Sequence, residues 1–513
     1  MLKRFLRIIY IEALYFLLFF MGTVTAYAAA LPEISIPYFG DTVRTKESTI
    51  FWYGKVTPSD NYTDVRAGYT TTDLSIKTHV FDRQMWYQQN GITPDSLSQW
   101  DAVSLYLVPD NGSGSMYRFT AQVNHWQSRT NYQAAWENTG NGWIVSPIPF
   151  TATSGWRGSS PNDNATDERG WNISFTIPFS SLNLQNSPHG AQWKVALITH
   201  DRDDPAQAVR SIAWPEGVNL ADSTTWGNVI FGLTTYGTPA VTNTATATIR
   251  HNLNGAVMTD ASVGGRTVCG DPFNPDFFNG WGDATEDDYT PNHISQINIQ
   301  NQTDVADWPC FSKFYVTFPL DQIPAGKKIV SATLTMHEFG GSNPSQATPS
   351  FIQVQSVLDP WSSSSITWNN APLVYKTVAR TMVNVYNKPL VWPGDPYSWD
   401  VSSAVSESYE IGLPVRLVLY SADSDYHSGK YFSSSDTGDW NAVARPTLDI
   451  VWGDPMSNSI PGDIDGDGDV DLLDLATLLT NFGKSGISLP GNVDGDNDVD
   501  LADLTTLLSN FGR

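Results

Sequence analysis

The most constraining feature of this sequence is an acidic unit that occurs twice, with an offset of 29 residues, over 463–483 and 492–512. In each copy, Asp or Asn residues alternate with other residues through a loop, and a helical pattern of Leu residues follows. A glycine stands just past the end of each helical pattern, as is common at helix C-termini. The pattern therefore predicts two loop–helix repeats, with helices over 472–479 and 501–508.

The carboxylates of each loop have the spacing of a calcium-binding loop. Ca²⁺ binds about six to eight oxygen atoms, and alternate side chains folded around a sharp turn supply them. The predicted ligands are Asp463, Asp465, Asp467, Asp469, Asp471 and Asp474 in the first copy, and Asn492, Asp494, Asp496, Asp498, Asp500 and Asp503 in the second. Because Asn492 removes one negative charge, we expect two Ca²⁺ sites, of which the second is weaker. The alternative is a solvated acidic segment without a metal.

The charge balance of this segment favours the metal. Residues 461–513 contain eleven Asp, one Lys and one Arg, a net charge of −9 within a chain total of −24. Such repulsion opposes the folding of so small a unit, so its folding is expected to depend on Ca²⁺. The acidic balance of the whole chain argues against nucleic acid as a partner.

The doublet closely resembles a type I dockerin, the module that attaches secreted carbohydrate-active proteins to cohesin receptors. The resemblance covers about 50 residues and rests on Gly-Asp-Ile-Asp-Gly-Asp-Gly-Asp-Val-Asp-Leu-Leu-Asp-Leu and its second copy. It implies a cohesin-bearing scaffold as partner. In that family the two residues after the ninth loop position help to select the cohesin; carried over, these are Leu472, Leu473, Leu501 and Ala502. The alternative is a self-contained, calcium-stabilised cap.

The N-terminal segment predicts export. Lys3, Arg4 and Arg7 precede an apolar stretch from about Ala13 to Met21, and small residues follow at 26–30. We expect a secretory signal over residues 1–30, cleaved near Ala28 or Ala30, and a product that is either released outside the cell or attached to the cell surface. An uncleaved membrane anchor is the alternative, but Glu12 lies inside the longer apolar run that it requires. No later run is long and apolar enough to span a membrane.

Two series of short alternating apolar and polar runs lie between the signal and the doublet. Neither series carries a sustained helical period, and both are rich in β-branched and aromatic residues. The predicted fold is mostly β: two antiparallel β-sandwich or jelly-roll domains over 31–235 and 241–455, joined by a linker at 236–240 and followed by a small α-helical calcium-binding unit at 461–513. Clear strands are predicted at 49–53, 74–80, 103–107, 117–123, 172–177, 245–249, 314–318, 329–336, 351–354, 415–419 and 447–451.

The first sandwich resembles carbohydrate-binding modules of family 9 and the related DOMON domains. The resemblance rests on Asn61 to Tyr69, Val80-Phe81-Asp82-Arg83, Trp100-Asp101-Ala102-Val103, Gly170-Trp171 and Thr225-Trp226-Gly227. It implies aromatic faces that hold a polysaccharide. The candidate aromatic residues stand in or beside turn-like sequence, and they are Trp86, Tyr87, Trp126, Trp136 and Trp143. For each of them, packing in the core is the alternative role.

The second sandwich resembles the DNRLRE-type domain of secreted proteins, which implies contact with polysaccharide or the cell envelope. The matching stretches are Trp361 to Pro372, Trp399-Asp400-Val401 and Lys430 to Ser434 with Arg445 to Leu448. The chain has two cysteines, Cys269 and Cys310. In an oxidising compartment we expect them to form a disulfide, whose loop of about 40 residues would contribute roughly 4 kcal/mol.

These patterns favour a secreted, non-catalytic carbohydrate-binding protein anchored through its calcium-dependent doublet. One alternative is a glycoside hydrolase or polysaccharide lyase, which needs two carboxylates beside the scissile bond. Candidates for that role are Asp82, Asp101, Glu137, Asp201, Asp203 and Glu338. The other alternative is a structural envelope protein without affinity for sugar.

Overall fold

The structure is a computed structural model. It describes residues 30–110, 112–124, 132–264, 283, 296–302, 311–341, 343–424, 428–455, 460–486, 489–494, 496 and 498–512. The signal segment up to residue 29, Trp126, Cys269 and Cys310 lie outside these residues, so the cleaved signal, the carbohydrate-binding role of Trp126 and the disulfide stay predictions. The described chain is mostly β with several sheets, which confirms the predicted class.

The chain divides into two compact units. The first comprises Met1–Leu233 with Leu373–Thr377, and the second comprises Thr234–Pro372 with Val378–Arg513. No helix within the described ranges has the length and apolar character that a membrane crossing requires.

Among its described residues, the first unit has thirteen strands. They are β1 (Glu33–Ile36), β2 (Thr49–Gly54), β3 (Tyr62–Tyr69), β4 (Asp73–Phe81), β5 (Ala102–Val108), β6 (Met116–Gln122), β7 (Gln133–Asn138), β8 (Ile144–Ser146), β9 (Thr151–Trp156), β10 (Trp171–Pro178), β11 (Gln192–Asp201), β12 (Arg210–Trp214) and β13 (Gly227–Phe231). One sheet has the antiparallel order β2-β3-β4-β10-β9. The other runs β1-β13-β11-β5-β6-β7-β8, with β12 paired to β11 and a parallel β1–β13 pair.

The two sheets of the first unit pack face to face. Phe51 of β2 lies against Trp214 of β12 with ring centroids 4.6 Å apart, and the Tyr53 and Thr199 hydroxyls are 2.7 Å apart. Strand β10 illustrates the alternation of apolar and polar residues that predicted such strands. Its residues Ile173, Phe175 and Ile177 are buried, while the residues between them are not. A sandwich is the result.

The described part of the second unit has eleven further strands and three helices. The strands are β14 (Val241–Arg250), β15 (Thr259–Gly264), β16 (Gln296–Ile299), β17 (Ser312–Phe318), β18 (Lys328–Gly341), β19 (Ser350–Ser356), β20 (Lys376–Val383, in this unit from Val378), β21 (Asp395–Asp400), β22 (Val415–Ser421), β23 (Lys430–Ser433) and β24 (Thr447–Pro455). The helices are α1 (Ser402–Glu410), α2 (Leu472–Asn481) and α3 (Leu501–Asn510).

The β part of the second unit has one large core between two sheet segments. One has the order β14-β24-β18-β23-β16 with β21 paired to β18, and the other has the order β15-β17-β22-β19-β20. Phe314, Leu334, Trp399, Leu417 and Phe432 belong to the buried cluster between them. Strand β18 carries two irregularities, one of them between Glu338 and Gly340.

Helix α1 departs from the sequence-based expectation, since no sustained helical period marks this region. Its nine residues bury only Ser402, Ala404 and Val405, which is too short a stripe to stand out as a period. Tertiary contacts hold it in place: the backbone N–H of Ala332 in β18 donates to the Ser402 hydroxyl at 2.8 Å. The helix therefore depends on the sheet beneath it.

The acidic doublet, residues 460–512, has its own small core. Val470, Leu478, Val499 and Leu507 are fully buried there. Helices α2 and α3 begin at the predicted residues and run two residues further than predicted. Each is preceded by an Asp that caps it, Asp471 for α2 and Asp500 for α3.

Candidate functional site

The first acidic loop is organised around Asp474, which is completely buried. Its two carboxylate oxygens accept hydrogen bonds from the backbone N–H groups of Ile464, Asp465 and Asp471, at 2.6, 3.1 and 2.8 Å. Burial alone would raise the pKa of Asp474, but these N–H groups hold it below its usual value. Asp474 is therefore an anionic centre around which the loop folds.

The other carboxylates of this loop converge on that centre. Oxygens of Asp463, Asp465 and Asp474 lie within 4.8 Å of one another, and so do oxygens of Asp469, Asp471 and Asp474. Oδ2 of Asp463 is buried and has no hydrogen-bond partner within the described residues. The pKa of Asp469 is raised, mainly by repulsion from the Asp467 carboxylate and to a smaller extent by burial. An oxygen-rich, unsatisfied and mutually repelling set of this kind fits a hard divalent cation.

The second loop repeats this arrangement around Asp503. Asp503 is completely buried and accepts from the backbone N–H groups of Val493, Asp494 and Asp500. Oxygens of Asp498, Asp500 and Asp503 lie within 4.8 Å of one another. The first position, Asn492, contributes no carboxylate, so this loop has less negative charge for a cation than the first.

The four predicted partner-binding residues lie in the first turns of the two helices and point away from the doublet core. Leu472, Leu473 and Leu501 are 72%, 59% and 67% exposed, and Ala502 is exposed as well. Exposed leucines in equivalent positions of both repeats leave an apolar surface on each repeat.

The predicted carbohydrate-binding aromatics of the first unit fall into two groups. Tyr87 and Trp136 are buried at 4% and 3% exposure, and the Arg118 guanidinium covers the Trp136 ring at 3.5 Å. Trp86 and Trp143 are partly exposed; Trp86 Nε1 donates to Asn164 at 2.8 Å, and Trp143 packs edge-on against Tyr106. Only Trp86 and Trp143, among the described candidates, leave aromatic surface open to a ligand.

Three of the candidate catalytic carboxylates meet inside the first unit. Oxygens of Asp82, Asp101 and Asp201 lie within 4.8 Å of one another, and all three residues are at most 1% exposed. Burial, and then repulsion from neighbouring carboxylates, raises the pKa of each; for Asp201 that neighbour is Asp203, and the pKa is raised to about 6. Such a group needs shared protons or a cation to offset its charge.

Hydrogen bonds and one guanidinium hold this carboxylate group in place. Asp82 accepts from Trp171 Nε1 at 2.7 Å, and Asp101 accepts from the backbone N–H groups of Trp86 and Arg202. Arg210 bridges Asp201 and Asp203, with its Nε 3.1 Å from Asp201 Oδ2. Because the group is buried, its described geometry suits a structural role better than attack on a polysaccharide.

Glu338 is a further candidate carboxylate, in strand β18 of the second unit. It is 1% exposed, and its Oε1 has no hydrogen-bond partner among the described residues. Burial raises its pKa to about 8, which Asp395 reinforces and Lys430 opposes. The nearby ammonium of Lys430 is also buried, and it donates to Thr348 O, Ser350 Oγ and Ser428 O.

Two exposed tryptophans of the second unit, Trp392 and Trp440, were not among the site residues predicted from the sequence. Trp392 is 43% exposed and Trp440 is 70% exposed, and their ring centroids are 5.2 Å apart. A signal was present, because Trp392 stands in Trp-Pro-Gly and Trp440 in Gly-Asp-Trp, both of which are turn sequences. Their proximity across 48 positions of sequence could not be read from either motif.

Residues 285–445 match the model of Carbohydrate-binding module family 96. This match supports the expectation of a carbohydrate-binding module, while the dockerin and DNRLRE resemblances stay predictions. No curated protein matches the chain.

Three solved structures show low similarity to the chain. A carbohydrate binding module family 9 from Caldicellulosiruptor kristjanssonii in complex with cellotriose is 14% identical, with 39% of this chain and 95% of that chain covered and a TM-score of 0.27. The same module with glucose gives 14% identity, 40% and 100% coverage and a TM-score of 0.27. A protein from Bacteroides uniformis, described as carbohydrate-binding, gives 12% identity, 39% and 100% coverage and a TM-score of 0.30.

Proposed function

We propose that this protein is a secreted, non-catalytic carbohydrate-binding protein that binds polysaccharide through its β-sandwich units. The observation that carries the proposal is the match of residues 285–445 to a carbohydrate-binding module family. Aromatic surface open to solvent in both units, at Trp86 and Trp143 in the first and Trp392 and Trp440 in the second, supports it. Flat aromatic faces stack against the C–H faces of sugar rings, so they are the side chains that such binding needs.

The test is incubation of the mature chain with a panel of insoluble polysaccharides, followed by measurement of retained protein and of released reducing ends. Retention without products is the expected result. Released products would show instead that the protein is a hydrolase or a lyase. Neither retention nor products would leave the structural envelope role as the remaining function.

The acidic doublet is proposed to bind two Ca²⁺ ions, the first more tightly than the second. The converging carboxylates and the unpartnered Asp463 Oδ2 support the first site. Calorimetric titration of Ca²⁺ into chelator-treated protein is expected to show two unequal sites and a gain in helix content. A flat titration would remove the calcium proposal.

Anchoring to a cohesin-bearing scaffold or cell surface is the proposed role of the calcium-loaded doublet. The exposed leucines at 472, 473 and 501 support it, because they offer a partner apolar surface in both repeats. Capture on immobilised type I cohesins should require Ca²⁺ and should be lost when Leu472 and Leu501 are both replaced by Asp. Equal capture with and without a chelator would contradict this role.

A further inference from the structure

Three aromatic side chains of the second unit form a continuous surface cluster. Phe339 lies in strand β18, and its ring centroid is 5.3 Å from that of Trp392 at an interplanar angle of 36°. Trp392 in turn contacts Trp440 at 5.2 Å with the two ring planes at 88°. Phe339 therefore backs Trp392, and Trp440 stands perpendicular to Trp392 as the second wall of a corner.

The local backbone fixes both tryptophans. Trp392 lies in a tight turn in which the Gly394 N–H donates to Val391 O at 2.9 Å. Trp440 lies against Gly438, because a Cβ there would be 2.9 Å from Trp440 Cδ1. Any side chain at position 438 would push the indole of Trp440 away. The absence of a side chain at Gly438 therefore allows Trp440 to keep its position beside Trp392.

The exposure of this cluster is unusual for its size. Trp440 is 70% exposed, and neighbouring Val391 and Val443 are 70% and 56% exposed. Large aromatics normally contribute to a core, so an open pair of tryptophans indicates a surface that gains a ligand.

We propose that Trp392 and Trp440 form a corner-shaped binding site for the pyranose rings of a single polysaccharide chain. This inference rests on the proposed carbohydrate-binding function, and both residues lie within the stretch that matches the carbohydrate-binding module family. One indole stacks beneath the face of a sugar ring while the other bounds its edge. Two planes at 88° cannot form one flat platform, so the site suits a separated chain and not the surface of a polysaccharide crystal.

Polar groups next to both indoles in sequence supply partners for sugar hydroxyls. Asp395, three residues after Trp392, is paired with Lys388 at 2.6 Å, and both side chains are partly exposed. Asp439, directly before Trp440, has an 86% exposed side chain and accepts from the buried Arg445 at 2.7 Å. Each ion pair orients a carboxylate that is close in sequence to one of the two indoles, and such charged groups can accept hydrogen bonds from sugar hydroxyls.

The experiment compares the full chain with three variants, Trp440→Ala, Trp440→Phe and Trp86→Ala, by affinity electrophoresis in gels containing soluble polysaccharides. The probes are hydroxyethyl cellulose, xylan, galactomannan, laminarin and alginate, with crystalline cellulose in a parallel pull-down. We expect at least one soluble polysaccharide to retard the wild-type chain. Trp440→Ala should weaken that binding about tenfold or more, and Trp440→Phe should weaken it less.

The outcomes separate this site from the general function. If Trp440→Ala leaves all retardation unchanged while Trp86→Ala removes it, carbohydrate binding stands and the corner site is wrong. Binding that depends on Trp440 but occurs only on crystalline cellulose would overturn the single-chain specificity. If no polysaccharide retards the wild-type chain, both proposals fail; self-association that Trp440→Ala abolishes would then assign the corner to contact between copies. Trp440 is exposed, so unchanged circular dichroism is expected for its variants.

Discussion

Gly462 lies so close to Leu507 that a Cβ atom on the glycine would be 2.7 Å from the Cα of the leucine. The same relationship recurs in the other repeat, where a Cβ on Gly491 would be 2.9 Å from the Cα of Leu478. Two asparagines add hydrogen bonds between the repeats. The side chain of Asn481 donates to the carbonyl of Pro490, directly before Gly491, and the side chain of Asn510 donates to the carbonyl of Pro461, directly before Gly462. The two acidic repeats are thus held together by reciprocal contacts between the entry to one loop and the helix of the other.

Gly462→Ala is expected to destabilise the doublet strongly. The added methyl group would collide with backbone at Leu507, and Gly462 also has a φ of 112°, which other residues rarely adopt. The expected result is a loss of the helix signal that Ca²⁺ induces, measured by circular dichroism. Gly483→Ala is the matched control: its φ of 78° is also positive, but a Cβ there meets no atom within 4 Å, so the cost should be about 1 kcal/mol. Equal effects of the two substitutions would argue against the close contact.

Asp474→Ala should eliminate the tighter of the two proposed calcium sites and leave the weaker one. Asp474 accepts three backbone N–H groups and shares both carboxylate groupings of the first loop, so its removal disorganises the whole loop. Asp503→Ala is the equivalent change in the second loop, where it should remove the weaker site. Calorimetry on both variants measures which binding step disappears. Loss of the same step in both would mean that the two loops do not bind independently.

Glu338→Gln should stabilise the chain increasingly as the pH rises. The pKa of Glu338 is raised to about 8, so the folded state holds this proton more tightly than the unfolded state does. The stability that this proton contributes is complete below the pKa that Glu338 has in the unfolded chain, and it is lost as the pH rises through about 8. The free energies of unfolding of variant and wild type, measured by urea denaturation, should therefore be similar at pH 5 and differ most at pH 9, by on the order of a few kcal/mol. A constant difference across that range would exclude this titration.

Arg210→Ala should destabilise the first unit. Arg210 is the cation that bridges Asp201 and Asp203, and Asp201 is only 1% exposed. Removing the cation leaves buried negative charge without compensation, a cost on the order of 2 kcal/mol because the arginine itself is 38% exposed. Arg44→Ala removes a more exposed pair with Glu47, which solvent screens, and should change stability much less than Arg210→Ala. Urea denaturation measures both, and equal effects would contradict the role of Arg210.

The elements that could be predicted from the sequence are those whose structure depends on residues close together in the chain. Every strand that the alternation predicted is present, although the strand predicted over 117–123 ends at Gln122, because alternation between the two faces of a sheet is a property of neighbouring residues. The convergence of the loop carboxylates and both doublet helices could be predicted for the same reason, since the residues that determine them are close together in the sequence. The short helix α1 could not be predicted, because its formation depends on packing against strand β18, which is distant in the sequence.

The sequence by itself determined the class of the fold, the strands and the composition of the two acidic loops. Only the tertiary structure decided which aromatic side chains are open, since Trp136 is covered by Arg118 while Trp440 extends into solvent. It also decided that Asp82, Asp101 and Asp201 meet, although 119 positions separate the first from the last. Exposure and long-range proximity depend on which sheet faces which, and no local pattern of residues carries that information.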